Sequence, residues 1–294
     1  MVILMVIKIK KATVIIFLCC LCCIFLVSMF SKNEATAIVS IKKDLRLPIV
    51  MYHQISSNKN NLGKYVLSVE QFENDLKYIK EKGYTCITVE ELIDYVEGKT
   101  TLGEKVIMLT FDDGYESAYT KVYPLLKKYN MKAVISVVGY LADLYTEIND
   151  HNDYYSYLNW EEIEYLSETP EIEIQNHSYD MHYCEKGKRK GMGKLKGESY
   201  EAYSAALNED VGKMQMLIMK KGGCIATAMA YPFGEYNKDT LEICKKLGFK
   251  STFTCEERVN TITRFNTGSL YNLGRYNRPS GISSEKFFID LLDS

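Results

Sequence analysis

Two adjacent carboxylates, Asp112 and Asp113, follow an apolar run in Thr110-Phe111-Asp112-Asp113-Gly114, where the backbone must turn. The run Val106-Ile107-Met108-Leu109-Thr110-Phe111 reads as a buried parallel strand, and Gly114 permits a tight turn or the close approach of a ligand. Carboxylates forced together repel, so a bound cation or a shared proton resolves the pair. Taken alone, the pair reads equally well as an acidic cap for a helix from Glu116 to Tyr129. A second cluster tips that balance. After the alternating stretch Glu171-Ile172-Glu173-Ile174-Gln175 come Asn176-His177-Ser178-Tyr179-Asp180-Met181-His182, which hold two of the chain's four histidines. Residues five apart point about 140° apart on a helix and to opposite faces of a strand, so a common target requires a turn between them. A loop at a strand end supplies one. One carboxylate and two neutral imidazoles then form a three-ligand site of the catalytic zinc type, with a position left open; the bland alternative is two unrelated surface histidines.

These groups need a scaffold, and the remaining pattern describes one. Strands are expected near 47–52, 85–88, 106–111, 132–138, 171–175, 226–231, 250–254 and 270–276. Ser68 to Gln71 and Thr88 to Glu91 have capping-box spacing, with helices running toward Gly83 and Gly98. Asn159 caps Trp160 to Ser167, and long helical stretches cover 198–221 and 237–247. Strand and helix in this rhythm predict an α/β fold with a parallel sheet inside, and the number of units predicts a distorted (β/α) barrel in one domain. Chemistry in such barrels gathers at strand C-termini, where His53, Asp112, Asp113, His177 and Pro232 all fall. The basic, glycine-rich stretch Lys186 to Gly197 breaks the rhythm. It reads as a loop, either attracting anionic polymer to the rim or simply solvated.

Thr-Phe-Asp-Asp-Gly, the later His177-Ser178-x3-His182 and the opening Leu47-Pro48-Ile49-Val50-Met51-Tyr52-His53 together resemble the polysaccharide deacetylases of the NodB-homology type, carbohydrate esterase family 4, over residues 47 to 290. The wider family has two residues after the His-Ser pair. Three stand here, which is similar to the branch of exported poly-N-acetylglucosamine deacetylases. The resemblance implies a NodB-type barrel, hydrolysis of N-acetyl groups, and one divalent metal ion, zinc ahead of cobalt, nickel or iron. It implies that Asp113, His177 and His182 are the metal ligands and that Asp112 is the general base. Ala230-Tyr231-Pro232-Phe233-Gly234 looks like the family's third motif, in which the backbone N–H after the proline, here that of Phe233, holds the oxyanion; it is also an ordinary turn.

Two departures from the family pattern follow. Its arginine in the third motif, which orients the catalytic carboxylate, is replaced by Ala230, so Arg275 or Arg278 is expected to substitute through a bidentate contact. No histidine follows His182, so the family's Leu-x-His acid is missing; His53 is the expected proton donor, with Asp112 able to return the proton it takes. Tyr179, Tyr231, Pro232, Arg275 and Arg278 are expected to contact the polymer, and Asp180 to fix a ligand imidazole. His151, in the polar loop Asn149 to Asp153, is expected to have no catalytic role.

The N-terminus carries a different message. Lys8, Lys10 and Lys11 precede an apolar run from Ala12 to Phe30, long enough at about 1.5 Å per residue to cross most of a bilayer core. Residues 1–31 therefore read as a signal anchor with its basic side in the cytoplasm, 32–46 as a linker and 47–294 as the extracytoplasmic deacetylase domain. A cleaved signal peptide, ending near Ala35-Thr36-Ala37, is the competing reading. Cys19, Cys20, Cys22 and Cys23 fall inside the run, and the others, at irregular spacing, describe no disulfide framework. A net charge of −2 gives no reason to expect a nucleic-acid partner. The expected partner is an N-acetylated amino-sugar polymer, peptidoglycan or exopolysaccharide. The alternatives are O-acetyl esterase activity on a xylan-type glycan, or a polysaccharide-binding protein without catalysis, which would have no need of a base beside the ligand set.

Overall fold

The computed structural model describes residues 44–182 and 189–293. The apolar run from Ala12 to Phe30, Cys184 and the start of the basic loop lie outside them. Among the described residues no helix is long and apolar enough to cross a membrane.

Every residue of the strand Val106–Phe111 is buried, as expected of a strand covered on both faces. In chain order the strands are β1 (Leu45–Leu47), β2 (Ile49–Tyr52), β3 (Gln54–Ser56), β4 (Val66–Ser68), β5 (Thr85–Cys86), β6 (Val106–Phe111), β7 (Ala133–Val137), β8 (Ile172–Asn176), β9 (Ala228–Ala230), β10 (Ser251–Phe253), β11 (Asn260–Ile262) and β12 (Tyr276–Asn277). The main sheet runs β10-β9-β8-β7-β6-β2-β12, and its pairings are parallel. One edge of β6 is shared, with β5 pairing at its start and β7 at its end. The sheet curls into a half-barrel. Its open side is bridged irregularly, where Thr254 N–H donates to the Leu273 carbonyl and Leu273 N–H to that of Thr252. Leu45 and Arg46, expected in the linker, already belong to β1, which pairs antiparallel with β11.

The helices are α1 (Val69–Glu81), α2 (Val89–Val96), α3 (Tyr123–Tyr129), α4 (Gly139–Ile148), α5 (Trp160–Ser167), α6 (Tyr200–Lys221), α7 (Lys238–Lys246) and α8 (Ser284–Asp293). Thr88 with Glu91 and Asn159 with Glu162 form full capping boxes. Ser68 forms half of one; it accepts from Gln71 N–H, while the Gln71 side chain reaches the Ile282 carbonyl. Alternation along β6 divides the core. Val106 and Met108 pack inside the curl with Ile49, Val134 and Ala230, whereas Ile107, Leu109 and Phe111 pack outward among the helices.

Two expected elements differ. The helix expected from Glu116 opens with a wide π-type turn, Ala118–Val122, because Pro124 has no amide to offer the Thr120 carbonyl. The strand expected over 270–276 shrinks to Tyr276–Asn277, since Thr267–Leu270 forms a 3-10 turn capped by Asn266. Gly274 then passes so close to the chain that a Cβ there would sit 2.7 Å from the Glu256 carbonyl oxygen.

Outside the curl, Arg278 is buried against Asp75. Its Nε and Nη2 lie 2.9 Å from the two carboxylate oxygens, and the Tyr52 hydroxyl adds a third hydrogen bond at 3.1 Å. Replacing Asp75 by Ala strands a buried guanidinium, and urea unfolding is expected to show a loss of about 3–5 kcal/mol. The Asp75→Ala, Arg278→Met double variant should recover much of it. A loss under about 1 kcal/mol in the single variant would show that the pair is not needed.

Candidate active site

The alternation that sends Met108 and Thr110 into the curl carries Asp112 to the mouth of the barrel, with its N–H on the Tyr52 carbonyl. Asp113 and Gly114 follow in the left-handed region, at φ 72° and 74°. An aspartate tolerates this better than most residues, and the reversal aims Asp113 back across the mouth. Two strands away, β8 delivers His177. Ser178, at φ 71°, makes the turn that the spacing of the histidines demanded, and His182 comes back beside His177 with ring centroids 5.3 Å apart.

The three groups meet at one oxygen. Asp113 Oδ1 lies 3.4 Å from His177 Nε2 and 3.1 Å from His182 Nε2. Despite these distances the oxygen is buried and has no hydrogen bond. His177 Nδ1 is 2.8 Å from the Ala230 carbonyl, which can only accept, so Nδ1 carries a proton and Nε2 is the ring nitrogen left facing Asp113. A buried carboxylate oxygen without a hydrogen bond is unfavourable unless a cation lies beside it, and the donor set of one carboxylate and two imidazoles fits a zinc-type ion.

Asp112 has a different partner. Arg275, fully buried, clamps it with Nη1 to Oδ1 and Nη2 to Oδ2, both 2.7 Å, while Nε donates to the Thr254 carbonyl at 2.9 Å. Burial raises the Asp112 carboxyl, yet the Arg275 guanidinium outweighs it and keeps the group below its ordinary value. Of the two arginines expected to reach this carboxylate, Arg275 does so and Arg278 does not.

The family of polysaccharide deacetylases matches residues 99–252, just over half of the chain. The chain belongs to that family. Among relatives of this deacetylase, the Bacillus subtilis protein YxkH, whose name places it with the polysaccharide deacetylases, is 28% identical over 258 residues, covering 87% of this chain and 80% of its own. A poly-beta-1,6-N-acetyl-D-glucosamine N-deacetylase of Staphylococcus aureus is 28% identical over 206 residues, 70% of this chain and 66% of that protein. The solved structure of IcaB from Ammonifex degensii is similar with a TM-score of 0.66 and 25% identity, covering 81% of this chain and 94% of that one. The matched region starts after His53 and ends before Arg275.

Both of those residues nonetheless shape the cleft of the deacetylase, a hollow of about 570 Å³ lined by His53, Tyr65, Asp112, Asp113, Tyr115 and Phe233 among others. His53 lies with its ring 4.7 Å from that of Tyr65. Burial lowers its pKa more than the two aspartates raise it. Phe233 stands at φ 58°, and its ring lies over His182 at 4.4 Å. The turn's own ladder uses the amides of Gly234 and Glu235, not that of Phe233. Sequence reasoning missed Tyr65, Tyr115 and Cys255 as lining residues, because no motif singles them out.

Several expected contacts fail. Arg275 is wholly buried and so serves Asp112, not a ligand, while Arg278 is held by Asp75 on the far side of the sheet. Tyr231 is fully buried, stacked on Tyr236 with its hydroxyl on Asn272. Pro232, the first residue of its turn, is buried and does not line the cleft. Tyr179 points away, its hydroxyl on Asp143 and the Lys213 ammonium over its ring. The imidazole of His177 is fixed by the Ala230 carbonyl instead of Asp180.

Two other features invite comparison with this cleft. A larger hollow of about 700 Å³ contains Glu173, whose carboxyl burial pushes up to about 7. Its oxygens are already taken by the Val89 and Glu90 amides, so it caps α2. Glu116, His151 and Glu162 form a second group of ligand types. His151 there has acceptors on both ring nitrogens, Glu116 and Asn149, which favours an imidazolium ion pair. In the described part of the basic loop, Arg189, Lys190 and Lys194 are paired with Glu198, Glu235 and Asp239.

Removing the Arg275 guanidinium should expose how the site is held. Arg275→Met leaves Asp112 buried without its cation, at an expected cost of about 3–5 kcal/mol at neutral pH. In the wild type the depressed Asp112 value contributes stability above about pH 3.9 that is lost as pH falls through the folded value. In the variant the value rises above that of the unfolded chain, so the deficit shrinks on acidification. Urea titrations at pH 7 and pH 4.5 check this; an equal deficit at both would refute it.

Proposed function

We propose that this deacetylase removes N-acetyl groups from an N-acetylglucosamine-containing polymer of the cell wall or an exopolysaccharide, with the help of one divalent ion held by Asp113, His177 and His182. The observation that carries the reading is the buried Asp113 oxygen that two imidazole nitrogens approach without a hydrogen bond, beside a second carboxylate held ionised by Arg275. A divalent ion bound there, zinc by ligand type, supplies Lewis acidity that polarises the amide carbonyl and acidifies water.

The rest is done by the chain. Asp112, with both oxygens already held by Arg275, accepts the proton of the water that adds to the acetyl carbon. The Phe233 N–H faces the oxygen on which negative charge develops. As the carbon–nitrogen bond breaks, the amine takes up the proton and acetate leaves. Asp112, a strong acid once protonated beside Arg275, returns that proton, and His53 is the competing donor in the cleft. The ring of Tyr65, 48% exposed, offers a stacking face for a sugar. The Staphylococcus aureus relative is named for deacetylating poly-N-acetylglucosamine, which supports the choice of polymer. The apolar run from Ala12 to Phe30 supports a position anchored outside a cytoplasmic membrane.

The test is acetate release by the full chain from N-acetylglucosamine oligomers, before and after chelation. Activity should be lost with chelator, return with a divalent ion, and favour oligomers over the monosaccharide. Release from acetylated xylan but not from amino-sugar oligomers would move the function to ester hydrolysis and leave the site chemistry standing. Within this reading Asp112→Asn should keep the metal and lower kcat by about 10²–10⁴-fold, as a lost general base does. His53→Gln should cost about tenfold, well short of a full acid–base role. An equal loss in the two would make His53 the acid.

A further inference from the structure

Asp210 lies on α6 and is not among the residues lining the cleft, yet its carboxylate takes two amides of the turn between His177 and His182. Tyr179 N–H donates to Oδ1 and Asp180 N–H to Oδ2, each at 2.8 Å. The neighbouring amides are treated the same way, with Ser178 N–H on the Asn176 side chain at 2.8 Å and Met181 N–H on Ser178 Oγ at 3.1 Å. Four successive amides between the two histidines are therefore held by side-chain oxygens. The same helix also holds the strand end, because Asn176 Nδ2 donates to the Val211 carbonyl and to Gln215 Oε1. From the other side, Gly139 and Tyr140 donate to the carbonyls of Ser178 and Tyr179.

A turn tied this thoroughly is shaped before any ligand reaches it. Ser178 stands at φ 71°, which costs a non-glycine residue on the order of 1–2 kcal/mol, so the chain would not keep this bend unaided. We infer that Asp210 is a positioning residue that fixes the separation of the His177 and His182 nitrogens in the metal-free protein. The inference rests on reading Asp113, His177 and His182 as the metal site. A carboxylate is required, since two parallel N–H groups need two acceptor oxygens. An asparagine would offer one oxygen and turn a donor toward the other amide. Lys213, one turn along α6, sets its ammonium over the Tyr179 ring and keeps that side of the turn packed.

The test uses the full chain with zinc and cobalt as probes. Asp210→Asn should fold with an unchanged circular dichroism spectrum, bind zinc about 10–100-fold more weakly in competition with a chromogenic chelator, and show a shifted cobalt absorption spectrum. At saturating metal its KM for an N-acetylglucosamine oligomer should stay at the wild-type value. Hydrogen exchange on the wild type supplies a measurement that needs no variant. The Tyr179 and Asp180 amides should be protected in the metal-free protein as well as in the loaded one. Wild-type zinc affinity and cobalt spectrum in Asp210→Asn, or unprotected amides in the metal-free wild type, would overturn the inference. His177→Ala separates this from the reading beneath it. If that variant binds zinc normally, the metal site itself is wrong; if it loses zinc while Asp210→Asn does not, only the role of Asp210 fails.

Discussion

The clamp of Arg275 on Asp112 is the contact on which the rest of the site depends. Arg275 sits in the segment that bridges the open side of the half-barrel, with its own N–H on the Glu256 carbonyl and its Nε on that of Thr254. Its guanidinium crosses the interior to the end of β6, where it also touches Thr110 Oγ1. One side chain thus joins the irregular closure of the sheet to the strand that presents both aspartates. A guanidinium buried this deeply is tolerable only because a carboxylate and a carbonyl meet its nitrogens, and the carboxylate stays ionised only because the guanidinium is there.

Backbone in the left-handed region borders the proposed chemistry at three points, although Asn130, Asn149, Phe265 and Asn272 adopt it elsewhere. Asp113, Ser178 and Phe233 all stand in the left-handed region although none is glycine, and each belongs to a different stretch of the site. Such backbone persists when surrounding contacts over-determine it. For Ser178 those contacts are the side-chain oxygens on the amides around it. For Phe233 they are the two hydrogen bonds of its turn and the packing of its ring on His182.

Much of this was legible in the sequence, and the failures have physical causes. β6 was readable because six apolar or β-favouring residues end at an abrupt change to acid and glycine, and the strand leading to His177 because isoleucines alternate with polar residues. The convergence of His177 and His182 followed from their spacing, which no regular element could reconcile. What failed was direction. Tyr179, Tyr231 and Arg278 stand close in sequence to functional groups, but alternation and helix packing turn their side chains into the core or toward the outer layer. Arg275 and Arg278 are indistinguishable by residue type and differ by which side of the curl each enters. Asp210, on a long helix of ordinary composition, gave no signal in sequence, because its role exists only once α6 lies beside the turn.

The counter-charge of Asp112 lies 163 residues farther along the chain. Residues 99–252, which carry both aspartates and both histidines, include neither His53 nor Arg275. Such a fragment would hold the ligand set and lack the cation that keeps its buried carboxylate charged. A fragment that keeps Asp112 paired with its cation must therefore extend to Arg275. A chain emerging from its N-terminus has nearly all of its barrel strands available before Arg275, so during synthesis the charge at the mouth cannot be neutralised until that late segment has emerged.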